Sequence, residues 1–153
     1  MTPEERLTKL GFELPPVQAP LASYVPVRIH GGILYLAGQG PLQNGAPCFV
    51  GKLGGEVTVD QGIEAARLTV LNALAAIRLA IERLDRIEAV LSLTAYVASE
   101  PDFQSQHLVA NGASELLFEV LGERGRHPRV AIGTNVLPLN LPLEISMVVA
   151  ICP

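Results

Sequence analysis

Charge is scarce in this chain: Asp, Glu, Lys and Arg make up only 17% of its 153 residues, against 49% hydrophobic ones. With mean hydropathy at +0.36, a monomer of this size has more apolar surface than it can easily hide, and burial against another copy would account for the excess. Positive charge is scarcer still. A net charge of -4 repels phosphate backbones as a whole, so nucleic acid is a poor partner for it. Cysteine is limited to Cys48 and Cys152, far apart and without a CxxC spacing, which excludes a disulfide framework and a cysteine zinc site. The histidines, His30, His107 and His127, offer no ligand spacing, so no metal is expected. No export signal is expected, because Met1-Thr2-Pro3-Glu4-Glu5-Arg6 is acidic where such a signal starts basic. A reducing, cytoplasmic setting is the expectation. Residues 29–51 carry no charge, but the glycines and Pro41 among them make a poor membrane span. No internal repeat or low-complexity segment is visible, and the length fits one domain over residues 1–153.

What is present reads as alternating strands and helices. Thr2 followed by Pro3, Glu4 and Glu5 caps a short helix over about residues 3–10, within an N-terminal extension of residues 1–19. Tyr24 to Ile29 and Ile33 to Ala37 read as strands joined by the tight turn Gly31-Gly32, with Pro26 placing the first at an edge or bulge. Thr58-Val59-Asp60-Gln61 has capping-box spacing, and Ile63, Ala66, Val70, Leu74, Ile77, Ile81 and Leu84 follow at helical intervals. Val90 to Val97 reads as a strand. Ser99-Glu100-Pro101-Asp102 predicts the start of a second helix that runs to about Leu121, and Gly122 ends it. Two β-like runs close the chain, Arg129 to Val136 and Leu143 to Ile151. The order, a leading helix and then ββαβαββ, predicts an α+β fold: a mixed or antiparallel sheet with both helices on one face. The uncovered face again calls for a second subunit.

Three of the eleven basic residues fall within Glu123-Arg124-Gly125-Arg126-His127-Pro128-Arg129. Arg124 and Arg126 read as a solvated loop. Arg129 leads straight into an apolar strand, where a guanidinium calls for an acidic partner or an anionic ligand. Glu144 poses the matching question between Leu143 and Ile145. The two form either a plain salt bridge or a functional pair. Gly38-Gln39-Gly40 starts like a dinucleotide fingerprint, but Gln43 breaks it. Tyr24 and Tyr35 suit ordinary packing, Asn111 before Gly112 could mark a helix irregularity, and Cys48 has no neighbour that would activate it.

Ser23-Tyr24-Val25, Leu36-Ala37-Gly38-Gln39-Gly40-Pro41, Asn111, Pro128-Arg129 and Leu143-Glu144-Ile145 occur in the order and approximate spacing of one known family. The chain resembles the RidA (YjgF-type) enamine/imine deaminases over about residues 20–151, as a member of a longer branch once labelled endoribonuclease L-PSP. The resemblance implies a chorismate-mutase-like homotrimer, its sheets facing the trimer interior and its clefts lying between subunits. It also implies hydrolysis of 2-aminoacrylate-like enamines and imines to 2-oxo acids and ammonia, with no cofactor. By position, Arg129 matches the arginine that grips the substrate carboxylate, and Glu144 the acidic residue that positions or activates water. Tyr24, Gly38 and Asn111 match pocket residues. Ala131 stands where many deaminating members carry cysteine, and Ala37 where they often carry Ser or Thr, which makes the pocket more apolar. The substrate is then bulkier or less polar than 2-aminoacrylate, or the site binds small 2-imino or 2-oxo carboxylates without turning them over. The acidic pI and the lack of paired histidines speak against an endoribonuclease.

Overall fold

A computed structural model describes residues 1–17 and 19–153. The first helix, α1 (Pro3–Lys9), begins with a full capping box, Thr2 accepting from the Glu5 amide while the Glu5 side chain accepts from the Thr2 amide. Strands β1 (Val27–His30) and β2 (Ile33–Gln39) form the expected hairpin. Its turn is Gly31-Gly32, both with positive φ (58° and 77°), which glycine adopts without strain. A small hairpin that the sequence reading missed follows, β3 (Leu42–Gln43) and β4 (Ala46–Pro47). Asn44-Gly45 turns it, also at positive φ.

Helix α2 (Val59–Ile81) starts at the predicted capping box on Thr58. It stops at Glu82, whose φ of 71° breaks the helical run, so Leu84 packs from a short 3-10 turn instead of the helix. Strand β5 (Ile87–Ala98), helix α3 (Gln106–Leu121), β6 (Arg129–Thr134) and β7 (Leu143–Ile151) complete the chain. The predicted start of α3 at Ser99 is wrong by several residues. Ser99 and Glu100 still serve the sheet region, their amides bonding to the Thr134 and Leu53 carbonyls. The helix forms only after Gln106 folds back onto the Phe103 carbonyl and the Ser99 hydroxyl.

The main sheet has the order β1-β2-β7-β5-β6, with β5 and β6 parallel and every other pair antiparallel. The fold is therefore the α+β arrangement expected, a mixed sheet with the two long helices on one face. Alternation along β7 shows the division: Leu143, Ile145, Met147, Val149 and Ile151 are buried beneath the helices, while Glu144, Ser146, Val148 and Ala150 point the other way. Each fully buried leucine or isoleucine contributes about 1.5–3 kcal/mol. The open face carries Tyr35, Tyr96, Val130 and Ile132, each 40–56% exposed. None of the helices among the described residues is long and apolar enough to cross a membrane.

Two features set the positions that matter below. Asn72 on α2 donates both Nδ2 hydrogens, to the Gly40 and Leu42 carbonyls (3.0 and 2.9 Å), pinning the chain just beyond β2. Gly112 on α3 lies against the Ile63 carbonyl of α2 so closely that a Cβ would overlap it. The two helices meet there backbone to backbone.

Candidate functional site

The register of the sheet decides where Arg129 and Glu144 can reach. Arg129 pairs with Leu93, which is buried under the helices, whereas Glu144 pairs with Tyr96, on the open face. They project from opposite faces of the sheet, on strands separated by β5. The salt bridge between them does not form in the chain. The sequence-predicted site therefore divides into two clusters.

The first cluster gathers around the guanidinium. Arg129 donates from Nη1 to Asn111 Oδ1 (2.9 Å) and Ser114 Oγ (3.1 Å), and from Nη2 to the His107 carbonyl (2.8 Å). All three acceptors sit on successive turns of α3, and none is acidic, so of the two expected partners, an acidic side chain or an anionic ligand, the first is not found among the described residues. Asn111 is thus an arginine ligand in an unbroken helix and marks no irregularity. The Nε hydrogen and one Nη2 hydrogen keep no partner among the described residues, enough for a carboxylate to bind in bidentate fashion. Ala131, two residues along β6 and on the same face, packs half-buried against the core.

Sequence reasoning missed Ser114 and gave His127 no role, yet they complete this cluster. His127 Nδ1 lies 2.6 Å from the Gly125 carbonyl and Nε2 lies 2.9 Å from Ser114 Oγ. The two ends of the chain of bonds, the Gly125 carbonyl and the Arg129 guanidinium, have fixed polarity. A carbonyl only accepts, so Nδ1 carries a hydrogen, and a guanidinium only donates, so Ser114 Oγ accepts from Arg129; the direction of the bond between Ser114 Oγ and Nε2 follows the protonation of the ring. A neutral imidazole accepts the Ser114 hydrogen at Nε2. Burial, aided by repulsion from Arg129, holds the His127 pKa below the usual histidine range, although its bond to Gly125 works in the opposite sense. A signal for Ser114 was available: residues 107, 111 and 114 recur at helical spacing on one side of α3.

Neighbouring basic residues are spoken for. Arg124 is no solvated side chain, since its Nη1 donates to the Asp85 and Ile87 carbonyls (3.0 and 2.8 Å). Arg126 pairs with Glu123 at 3.0 Å and stacks over the Phe118 ring at 4.2 Å from the centroid.

The second cluster surrounds Glu144. Its carboxyl lies over Gly38, where a Cβ would fall 2.8 Å from Cδ, so a side chain there would push the carboxyl out of this position. Tyr24, Ala37 and Gly38 share with Glu144 the lining of a cavity of about 520 Å3 that also includes Leu21, Val25 and Leu139. Tyr24 belongs to the loop before β1 and lies outside the strand predicted for it. Burial raises the Glu144 pKa above the ordinary carboxylate value, with no cation among the described residues to oppose the shift. A half-buried carboxylate of raised pKa is a better proton acceptor, and here it opens on a space a ligand can enter.

The comparisons with known proteins agree with this architecture. Protein TCP17 of Trypanosoma cruzi is 39% identical over 144 residues, covering 94% of this chain and 90% of that protein. The crystal structure of Atu1372 from Agrobacterium tumefaciens, of unknown function, is 44% identical with a TM-score of 0.92, covering 98% of this chain and 92% of that one. A putative endoribonuclease from Shewanella oneidensis is 36% identical with a TM-score of 0.96, covering 99% and 100%. A family model described as YjgF/chorismate mutase-like, putative endoribonuclease, matches residues 4–150. With the sheet order, the two helices on one face and these matches together, the chain belongs to the YjgF/chorismate mutase-like family.

Proposed function

We propose that this protein hydrolyses reactive enamine or imine intermediates of amino acids to 2-oxo acids and ammonia, as a homotrimer whose clefts are each built by two subunits. The observation that carries this reading is the division of the site: an arginine with two N–H hydrogens unpartnered among the described residues on one face of the sheet, and a carboxylate of raised pKa, also without a partner among them, on the other. Each half is chemically incomplete. Arg129 anchors a substrate carboxylate, and the Glu144 of another copy holds the water that attacks the C=N carbon and takes its proton. The apolar open face, with Tyr35, Tyr96, Val130 and Ile132, favours self-association.

Intersubunit complementation tests the reading. Arg129→Ala and Glu144→Gln should each lack imine hydrolysis. Trimers reassembled from equal amounts of the two should regain on the order of a quarter of wild-type activity, because three-quarters of them are mixed and each mixed trimer holds one intact cleft in three. Mixed trimers without activity would refute a shared cleft.

A second reading rests on Ala37 and Ala131, which bring no hydroxyl or thiol to the site. Here the trimer binds 2-oxo or 2-imino carboxylates without turnover. Arg129-dependent thermal stabilisation by 2-oxo acids, without acceleration of imine hydrolysis, would favour it. Endoribonuclease activity has less support, since the net charge of -4 opposes a polyanionic substrate.

A further inference from the structure

The cavity at Glu144, about 520 Å3, falls inside the range of roughly 300–1,000 Å3 typical of clefts that enclose drug-sized ligands. A three-carbon imino acid would leave much of that space to water. The walls are apolar: Leu21 and Val25 are each 61% exposed and Leu139 is 51% exposed, and all three face the space that Glu144 opens on. Ala37 adds no polar group there.

Leu139 gives independent support, because its backbone is costly. It has a φ of 59° and is followed by Asn140 at 55°, the left-handed region that bulky side chains rarely occupy. The turn is locked by bonds from the Asn140 amide to the Leu137 carbonyl, from the Leu141 amide to the Pro138 carbonyl and from the Gly51 amide to the Asn140 carbonyl (3.1, 3.2 and 2.9 Å). Strain of this kind is usually offset by burial or by function. Leu139 is not buried in the chain. The strain instead presents an aliphatic side chain at the rim of the cavity.

We propose that the site selects 2-imino acids with large apolar side chains, branched aliphatic or aromatic, over the 2-aminoacrylate class, and that Leu21, Val25 and Leu139 receive that side chain. The inference rests on the hydrolase reading above and specifies its substrate. With the carboxylate on the Arg129 of another copy and the C=N carbon near Glu144, the side chain is the part of the substrate that meets Leu21, Val25 and Leu139. Every methylene buried there adds to transition-state binding and so to kcat/KM.

An amino acid oxidase can supply the imines of leucine, phenylalanine and alanine in situ, with 2-oxo acid release measured above the spontaneous rate. The leucine or phenylalanine imine should exceed the alanine imine by at least roughly 10-fold in kcat/KM. Leu139→Gly suits the left-handed backbone and is expected to fold; it should lower that ratio several-fold, and Leu21→Ser should act in the same direction. Turnover of the alanine imine as fast as the larger ones overturns the inference and leaves the hydrolase reading intact. So does an unchanged ratio in Leu139→Gly accompanied by a change in oligomer size, which would make these residues a subunit contact. If no imine is turned over, the hydrolase reading fails. Calorimetry with pyruvate and 4-methyl-2-oxopentanoate then decides the preference: tighter binding of the larger acid upholds it, and equal affinities overturn it.

Discussion

Arg129 and Glu144 are both charged groups set into apolar strands of one sheet, and the fold handles them in opposite ways. The arginine is held by Asn111, Ser114 and the His107 carbonyl, all on a helix that is itself packed against α2. The glutamate is left over a glycine in a cavity with exposed aliphatic walls, and burial alone shifts its pKa. One group is fixed in place by three hydrogen bonds. The other is kept reactive by having no partner among the described residues. A rigid anchor costs little further entropy when an anion binds, and an unpaired carboxylate keeps its lone pairs for a water.

Substitutions should separate the two regions, and the largest effects belong to the charged groups themselves. Glu144→Gln is expected to lower kcat for imine hydrolysis by about 10²–10⁴-fold while binding of a 2-oxo acid, followed by calorimetry, stays near wild type. Arg129→Ala should instead abolish measurable 2-oxo acid binding; if the two variants show the same pattern, the distinction between anchor and base collapses. Ser114→Ala and Asn111→Ala each remove one bond that orients the fork, so each should weaken 2-oxo acid affinity by about 10-fold, with a smaller change in kcat. A smaller effect concerns stability. The Glu144 pKa is raised in the folded state, so folding favours its protonated form, and stability falls as pH rises from about 4.5 through the raised value. Glu144→Gln should therefore melt higher than wild type at pH 7 and at the same temperature below pH 4. A variant that melts lower at neutral pH would mean that Glu144 has a favourable partner in the assembled protein.

Much of the fold was legible because its signals are local. The capping boxes at Thr2 and Thr58, the Gly31-Gly32 turn and the apolar alternation of β7 each depend on neighbours in sequence. Arg129 and Glu144 stood out for a similar reason, as single charges in uncharged strands. Their separation did not, since the face a strand residue occupies depends on which strand lies opposite it and in what register. Ser114 and His127 were hidden differently. A serine in a helix and a histidine in a loop are commonplace until the fold joins them to each other, to Arg129 and to the Gly125 carbonyl. The misplaced start of α3 has a third cause: Ser99 and Pro101 are typical of a helix start, but the amides of Ser99 and Glu100 were already committed to Thr134 and Leu53.

Gly112 sits one residue from Asn111, at the point where α3 touches the Ile63 carbonyl of α2. Because that helix carries every acceptor of the Arg129 guanidinium, the contact works as a mechanical stop. It sets how far α3 stands from the rest of the molecule and therefore where the anion fork is aimed. A methyl group added there would act as a shim, tilting the fork without touching any group that meets the ligand. Productive geometry has a tolerance of only about half an ångström, so the precision of the anchor is set by a residue with no side chain.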